Sequence, residues 1–283
     1  MIQTLLISWR EMLEASLIVG ILLTYLGRSG HRAGFRYVWL GAGAAVLAAL
    51  ACGAASGSAL ALLDPEMQEL LQAGILFVAV GVLSWMVVWM QSHARGLRGD
   101  LHRKAEHVMA TGRLVGLATV AFVAVFREGI ETVLFLWGVV VQRGPQVAVL
   151  PLLGAGLAGT GLAIGTAWLF FRGFAFLRLQ MFFRTTGVLL LLLAAGLLTT
   201  GVNKLIGLGY LPPLVPQVWN TAWLVHDGSP LGAVLSALVG YRSRPSLLEV
   251  LAFLAYFPPM LWALRHRPAR HATLAARRPA RAA

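Results

Sequence analysis

The sequence is short of charge. Of its 283 residues only 12% are Asp, Glu, Lys or Arg, while 58% are hydrophobic; a soluble domain has about 25% charged residues. The shortage is uneven: long uncharged runs alternate with short charged ones, and several runs reach the roughly 20 residues that cross a bilayer as a helix. Strict alternation of polar and apolar residues is missing, which excludes a membrane β-barrel. There is a single cysteine, Cys52, inside an apolar run, so no disulfide framework exists. A secretory signal peptide is not expected: residues 1–9 carry no positive charge, and Arg10, Glu11 and Glu14 would fall in its apolar region. Neither His-Glu-x-x-His nor Gly-x-Ser-x-Gly occurs, and the histidines are scattered near the ends of apolar runs, so an intramembrane enzyme is disfavoured.

What is present is an all-α integral membrane protein. Seven spans are expected, at about 2–26, 37–62, 69–91, 113–141, 147–171, 182–202 and 247–264, each helical because lipid offers no partner to open backbone groups. The net charge of +12 would suggest nucleic acid in a soluble protein. Here the Lys and Arg flank apolar runs and set orientation, and no nucleic acid is expected. The first connection carries Arg28, Arg32 and Arg36, and the third Arg95, Arg98, Arg103, Lys104 and Arg113. The second has none, and the fourth only Arg143. The fifth has Arg172 and Arg178, and the tail is basic. This alternation expects the N-terminus outside and the C-terminus in the cytoplasm, in the cytoplasmic (inner) membrane. The connection 203–246 is long and outside, broken by Pro212, Pro213 and Pro216, with Trp219, Trp223 and Tyr241 suited to the membrane–water boundary. Its residues 229–240 are apolar but too short to span, and suit an interfacial or re-entrant segment. Residues 265–283 are expected to be a disordered basic tail.

Two segments repeat. Trp9-Arg10-Glu11-Met12-Leu13-Glu14 resembles Phe126-Arg127-Glu128-Gly129-Ile130-Glu131, with Leu17 and Leu134 three places on. Each opens a set of three spans, about 1–91 and 113–202, and the expected topology runs the two copies in opposite directions. That is a 3+3 inverted repeat plus a seventh span, an arrangement that places a site at the bilayer midplane. Gly53 and Gly57 in the second span, and Gly161 and Gly165 in the fifth, have the four-residue spacing that lets helix backbones approach.

An ionisable residue at the centre of a membrane helix costs roughly 2.5–3.5 kcal/mol on insertion scales. Six of them are tolerated only if they pair and face the interior. Positions i and i+3 share a helix face, so Glu11 and Glu14 point together, as do Glu128 and Glu131, and each arginine lies four residues before the second glutamate of its motif. Four carboxylates against two guanidiniums, Arg10 and Arg127, leave a formal charge of about −2 if all are ionised, and carboxylate oxygens suit hard metal ions. The arginines organise the carboxylates and prevent over-tight trapping of the ion, which a transport site must also release. Manganese or another divalent cation is the alternative cargo, because carboxylates alone do not separate these ions.

These residues resemble the oxidase-dependent iron permease family of fungal ferric permeases and bacterial iron uptake permeases, which carries Arg-Glu-Gly-x-Glu motifs in its first and fourth spans. Arg127, Glu128, Gly129 and Glu131 match in full, and the first copy has Met12 in place of Gly. Thr186–Leu198, Val218-Trp219-Asn220-Thr221 and Gly240-Tyr241-Arg242-Ser243-Arg244-Pro245 are similar to the family's later region, so the resemblance covers nearly the whole chain. It implies iron import with Glu11, Glu14, Glu128 and Glu131 as ligands. It also implies ferric iron supplied by a separate extracytoplasmic oxidase, peroxidase or iron-delivery protein. No cofactor beyond the transported iron is expected. Asn203 stands where the family would have a histidine.

Lesser candidates remain. Asp64, Glu66 and Glu69 could gather cations at an outer mouth, or simply form a solvated connection with acids at a helix N-terminus. Met86, Met90 and His93 share a face and could offer softer ligands toward an exit, against the commoner reading of core packing. His93, His102 and His107 with Asp100 and Glu106 could receive metal in the cytoplasm, although the connection is strongly basic. His226 and Asp227 lie in the outer connection.

Overall fold

The computed structural model describes residues 2–93, 115–143, 149–172, 179–226 and 240–266, with 229, 231, 232, 235 and 236 between the last two stretches. Among these residues there are seven long helices and no strand: α1 Ile2–Arg28, α2 Phe35–Ala61, α3 Pro65–His93, α4 Val115–Arg143, α5 Val149–Phe171, α6 Leu179–Gly207 and α7 Leu247–Arg265. Each coincides within a few residues with an expected span. Their ends follow local chemistry. Gly30, at φ 76°, turns the chain between α1 and α2. Pro65 opens α3 at the position where its missing N–H costs nothing. Ser246 and Glu249 close a reciprocal capping box on α7.

Five helices are long and apolar enough to cross a membrane by length and composition: α2, α3, α5, α6 and α7. The other two, α1 and α4, have the length, with 27 and 29 residues, and each carries one Arg-Glu-x-x-Glu motif near its middle.

Contacts at three levels fix how α1 meets α4. Gln3 Nε2 donates to Gln142 Oε1 at 2.8 Å. Glu11 lies beside Glu128 and Glu131. Leu26 and Leu117 bound Gly34 in one buried cluster. Residue numbers fall along α4 as they rise along α1, so the two helices are antiparallel. The second helix of each triplet crosses to the first helix of the other. Thus α5 lies parallel to α1, with Gly159 against Leu5 and Trp9 and Gly20 against Phe171. Likewise α2 lies parallel to α4, with Gly41 at Ala118, Gly53 at Val133 and Gly57 at Trp137. The third helices, α3 and α6, pack on each other, and α7 leans on α6. Exchanging the triplets therefore maps these helix pairs onto one another.

The glycines that make this possible are partly those the spacing suggests. Gly53 and Gly57 do face α4, but Gly161 and Gly165 face open space. On α5 the close approach is made by Gly159, where an added Cβ would come within 2.5 Å of Leu5 O and 2.9 Å of Trp9 N. Because those are backbone atoms, a side chain there must push α5 off α1. Overpacking of this kind costs about 1–3 kcal/mol or more. Gly159→Leu is therefore expected to lower the melting temperature in detergent, and Gly161→Leu to leave it unchanged.

After α6 the chain runs irregularly to Val225 and returns beside itself. Val218 N–H donates to Pro245 O, Thr221 N–H to Ser243 O and Leu247 N–H to Val215 O, each at 2.9 Å. Trp219 and Trp223 are exposed there. Half of the segment expected to be interfacial, 229–240, lies outside the described residues, as does the tail beyond 266.

Candidate cation site

The site is built where the two antiparallel motifs meet. Helical spacing aims both acids of each motif inward, and small residues on the second helices let the first helices be closely flanked. Gly129 sits against Ala49, to which an added Cβ would come within 2.7 Å. Met12 takes the equivalent place on α1, where its side chain packs with Trp9, Trp89 and Phe170 around Leu13 and Ala163.

One carboxylate oxygen from each of Glu11, Glu128 and Glu131 lies within 4.8 Å of the others. All three residues are buried, Glu11 completely. Glu14 is not part of this trio; it stands beside it, tied to Arg10. Arg10 Nη1 donates to Glu11 Oε1 at 2.6 Å, and its Nη2 lies 2.7 Å from Glu14 Oε1. Arg127 Nε donates to Glu131 Oε1 at 2.9 Å and lies 3.9 Å from Glu128 Oε1. Each arginine thus reaches the second acid of its motif, as the spacing requires. One oxygen each of Glu11, Glu128 and Glu131 (Oε2 in every case) is buried with no hydrogen-bond partner. At an effective dielectric of about 20, two unit charges about 4 Å apart repel by roughly 4 kcal/mol. The two guanidiniums leave those three oxygens bare, and a cation among them would meet all three.

The two arginines differ. Arg10 is 2% exposed, and beyond its acids it donates to Met86 Sδ at 3.3 Å and Met90 Sδ at 3.0 Å. Arg127 is 38% exposed in its side chain and lies over the rings of Trp89 and Trp85, at 4.9 and 5.9 Å. Both therefore dock on α3, one on a methionine pair and one on a tryptophan pair. Met86 and Met90, considered from the sequence as exit ligands, are buried acceptors for Arg10. The side chain of His93 lies outside the described residues, and so do Asp100, His102, Glu106, His107 and Asp227. Asp64, Glu66 and Glu69 are exposed near the start of α3. Among the described residues they form no cluster with ligand spacing, and Glu11, Glu128 and Glu131 are the one group that does.

Sequence reasoning missed Trp85 and Trp89. The signal was available: Trp85-Met86-Val87-Val88-Trp89-Met90 repeats a Trp-Met pair at four residues, so each type forms its own stripe on α3.

Comparison with known proteins places this geometry in context. A family model described as the iron permease FTR1 family matches residues 1–265. A protein of Archaeoglobus fulgidus is 33% identical over 277 residues, covering 94% of this chain and 95% of its own. The ferrous iron permease EfeU of Shigella sonnei is 30% identical over 270 residues, covering 95% of this chain and 96% of its own. The protein of that name from Yersinia pestis is 31% identical over 262 residues, covering 90% of each. No solved structure matches.

Proposed function

Because the chain belongs to the iron permease FTR1 family, a family of multi-pass membrane transporters, we propose that it imports iron across the cytoplasmic membrane through the carboxylate cluster of α1 and α4. In this reading all seven helices cross the bilayer and α1–α3 and α4–α6 form an inverted repeat, with the N-terminus outside and the tail in the cytoplasm. Glu11, Glu128 and Glu131 are direct ligands. Glu14 joins them when the ion moves, and Arg10 and Arg127 hold the acids in place. The observation that carries this is the group of three buried carboxylate oxygens within 4.8 Å of one another, contributed by two antiparallel helices.

The cluster's formal charge of about −2 balances a divalent ion, in line with relatives that bear the name ferrous iron permease. A ferric ion, delivered by a separate oxidase, peroxidase or iron-delivery protein as the sequence resemblance implies, would leave one net positive charge in a low-dielectric interior. Uptake into proteoliposomes discriminates. Iron supplied with ascorbate should enter, and ferric iron supplied as a citrate chelate should not unless a partner is added. Equal entry of manganese under the same conditions would move the cargo to divalent metals in general. No entry of either iron form would overturn the proposal.

A further inference from the structure

The carboxylates are sealed at both ends of the α1–α4 seam, but by different material. Toward the C-terminus of α1, every buried residue beyond Glu14 is apolar: Ala15, Leu17, Ile18, Val19, Ile21, Leu22 and Leu26. The facing half of α4 contributes Leu117, Ala121 and Val125, all buried in the same cluster as most of these. From Glu14 to the end of α1 this seal runs fourteen residues, about 21 Å at 1.5 Å per residue. In the other direction the buried residues of α1 include Ser8, Thr4 and Gln3. Gln3 meets Gln142 of α4 through the 2.8 Å hydrogen bond. Between this polar end and Glu11 stands a short apolar barrier, in which Ile7 on α1 and Phe135 and Val139, one turn apart on α4, are each at most 2% exposed and share one cluster with Val141. Glu11 is eight residues from Gln3, about 12 Å. Thr4 Oγ1, on a side chain 1% exposed, has no hydrogen-bond partner.

Buried polar groups between membrane helices mark pathways, because hydrocarbon neighbours would otherwise select against them. Taking the permease reading as given, we propose that the cation reaches the carboxylates from the Gln3–Gln142 end of the α1–α4 seam. Gln3, Thr4 and Gln142 offer the neutral oxygens that first replace its water, and Ile7, Phe135 and Val139 form the barrier it crosses to reach Glu11. The ligand class is a partly dehydrated metal cation. Neutral amide and hydroxyl oxygens hold it weakly, which favours onward transfer to the carboxylates. Opening breaks the Gln3–Gln142 bond and parts this short barrier, whereas the opposite seal must open across several helical turns.

The test uses the full chain in cells, with the exposed Cys52 first removed as Cys52→Ala. Ile7→Cys and Ile18→Cys are each treated from outside with a membrane-impermeant cationic thiosulfonate, and modification is read by mass. Ile7→Cys is expected to be modified and to lose iron uptake on modification, and Ile18→Cys to stay unmodified. Modification of neither, or of Ile18→Cys first, would overturn the route. As a second arm, Gln3→Cys combined with Gln142→Cys is cross-linked by mild oxidation. Uptake should stop and should return with a phosphine reductant, and undiminished uptake in the cross-linked protein would count against the route. Glu128→Gln in the same cells separates the two ideas: if it transports iron, the carboxylate site fails. If it does not while Ile7→Cys stays unmodified, only the route fails.

Discussion

Iron uptake by the Glu128→Gln variant is expected to fall to the level of empty vesicles, while the protein accumulates in the membrane and melts at or above the wild-type temperature. The two halves of this expectation come from one geometry. Glu128 contributes one of the three oxygens within 4.8 Å of each other, and it faces several acids with one loosely paired arginine, Arg127 Nε lying 3.9 Å from its Oε1. Before an ion arrives, Glu128 is therefore mainly a source of repulsion, at roughly 4 kcal/mol for each unit-charge pair about 4 Å apart in an effective dielectric of about 20. Glutamine keeps the volume and removes that charge, so the empty protein gains. Transport loses, because one charged ligand disappears from the site. Even outer-shell partners of metal ligands cost 10–100-fold in affinity when removed, so a direct ligand should cost at least about 100-fold.

The same pair of measurements separates a transport site from a structural ion-pair network. If the acids only tied helices together, neutralising one would weaken the protein and affect uptake no more than the loss of protein explains. Glu131→Gln supplies the contrast. Glu131 accepts from Arg127 Nε at 2.9 Å, so its neutralisation gives up a charge-assisted bond as well as a ligand. Stability should not rise there.

How much of this was legible beforehand depends on which physical signal a residue carries. Six ionisable residues in two otherwise apolar runs are conspicuous, because each violates the composition that the bilayer imposes. The repeat of Arg10-Glu11 and Glu14 in Arg127-Glu128 and Glu131 followed from spacing alone. Opposed helix directions followed from the charges of the connections, and the Gln3–Gln142, Glu11–Glu128 and Leu26–Leu117 levels have that sense. Packing partners were less visible. Gly161 and Gly165 have the same spacing as Gly53 and Gly57 yet face away from every neighbour, since spacing gives a shared face but not which face. The same ambiguity hid Met86 and Met90. Their shared face was evident, but only the three-dimensional arrangement shows Arg10 on it. Gln3 and Gln142 are 139 residues apart, and nothing local in either sequence segment ties one to the other.

Arg10→Leu is expected to be the most destabilising single substitution in the motif, costing about 3–5 kcal/mol, the usual penalty for orphaning one side of a buried ion pair. Arg10 is 2% exposed and serves Glu11, Glu14, Met86 and Met90 at once. Leucine would leave two carboxylates without their cation, and α3 would lose the contact that draws Met86 and Met90 to the site. Arg127→Leu should cost less, because Arg127 is partly exposed and its pairing is correspondingly screened. If the cost arises from the stranded acids rather than from lost packing, it is recoverable. Adding Glu14→Gln to Arg10→Leu should restore part of the melting temperature in detergent without restoring iron uptake. A double variant no more stable than Arg10→Leu alone would assign the arginine's role to shape. Recovery of uptake would mean that neither Arg10 nor Glu14 belongs to the transport site.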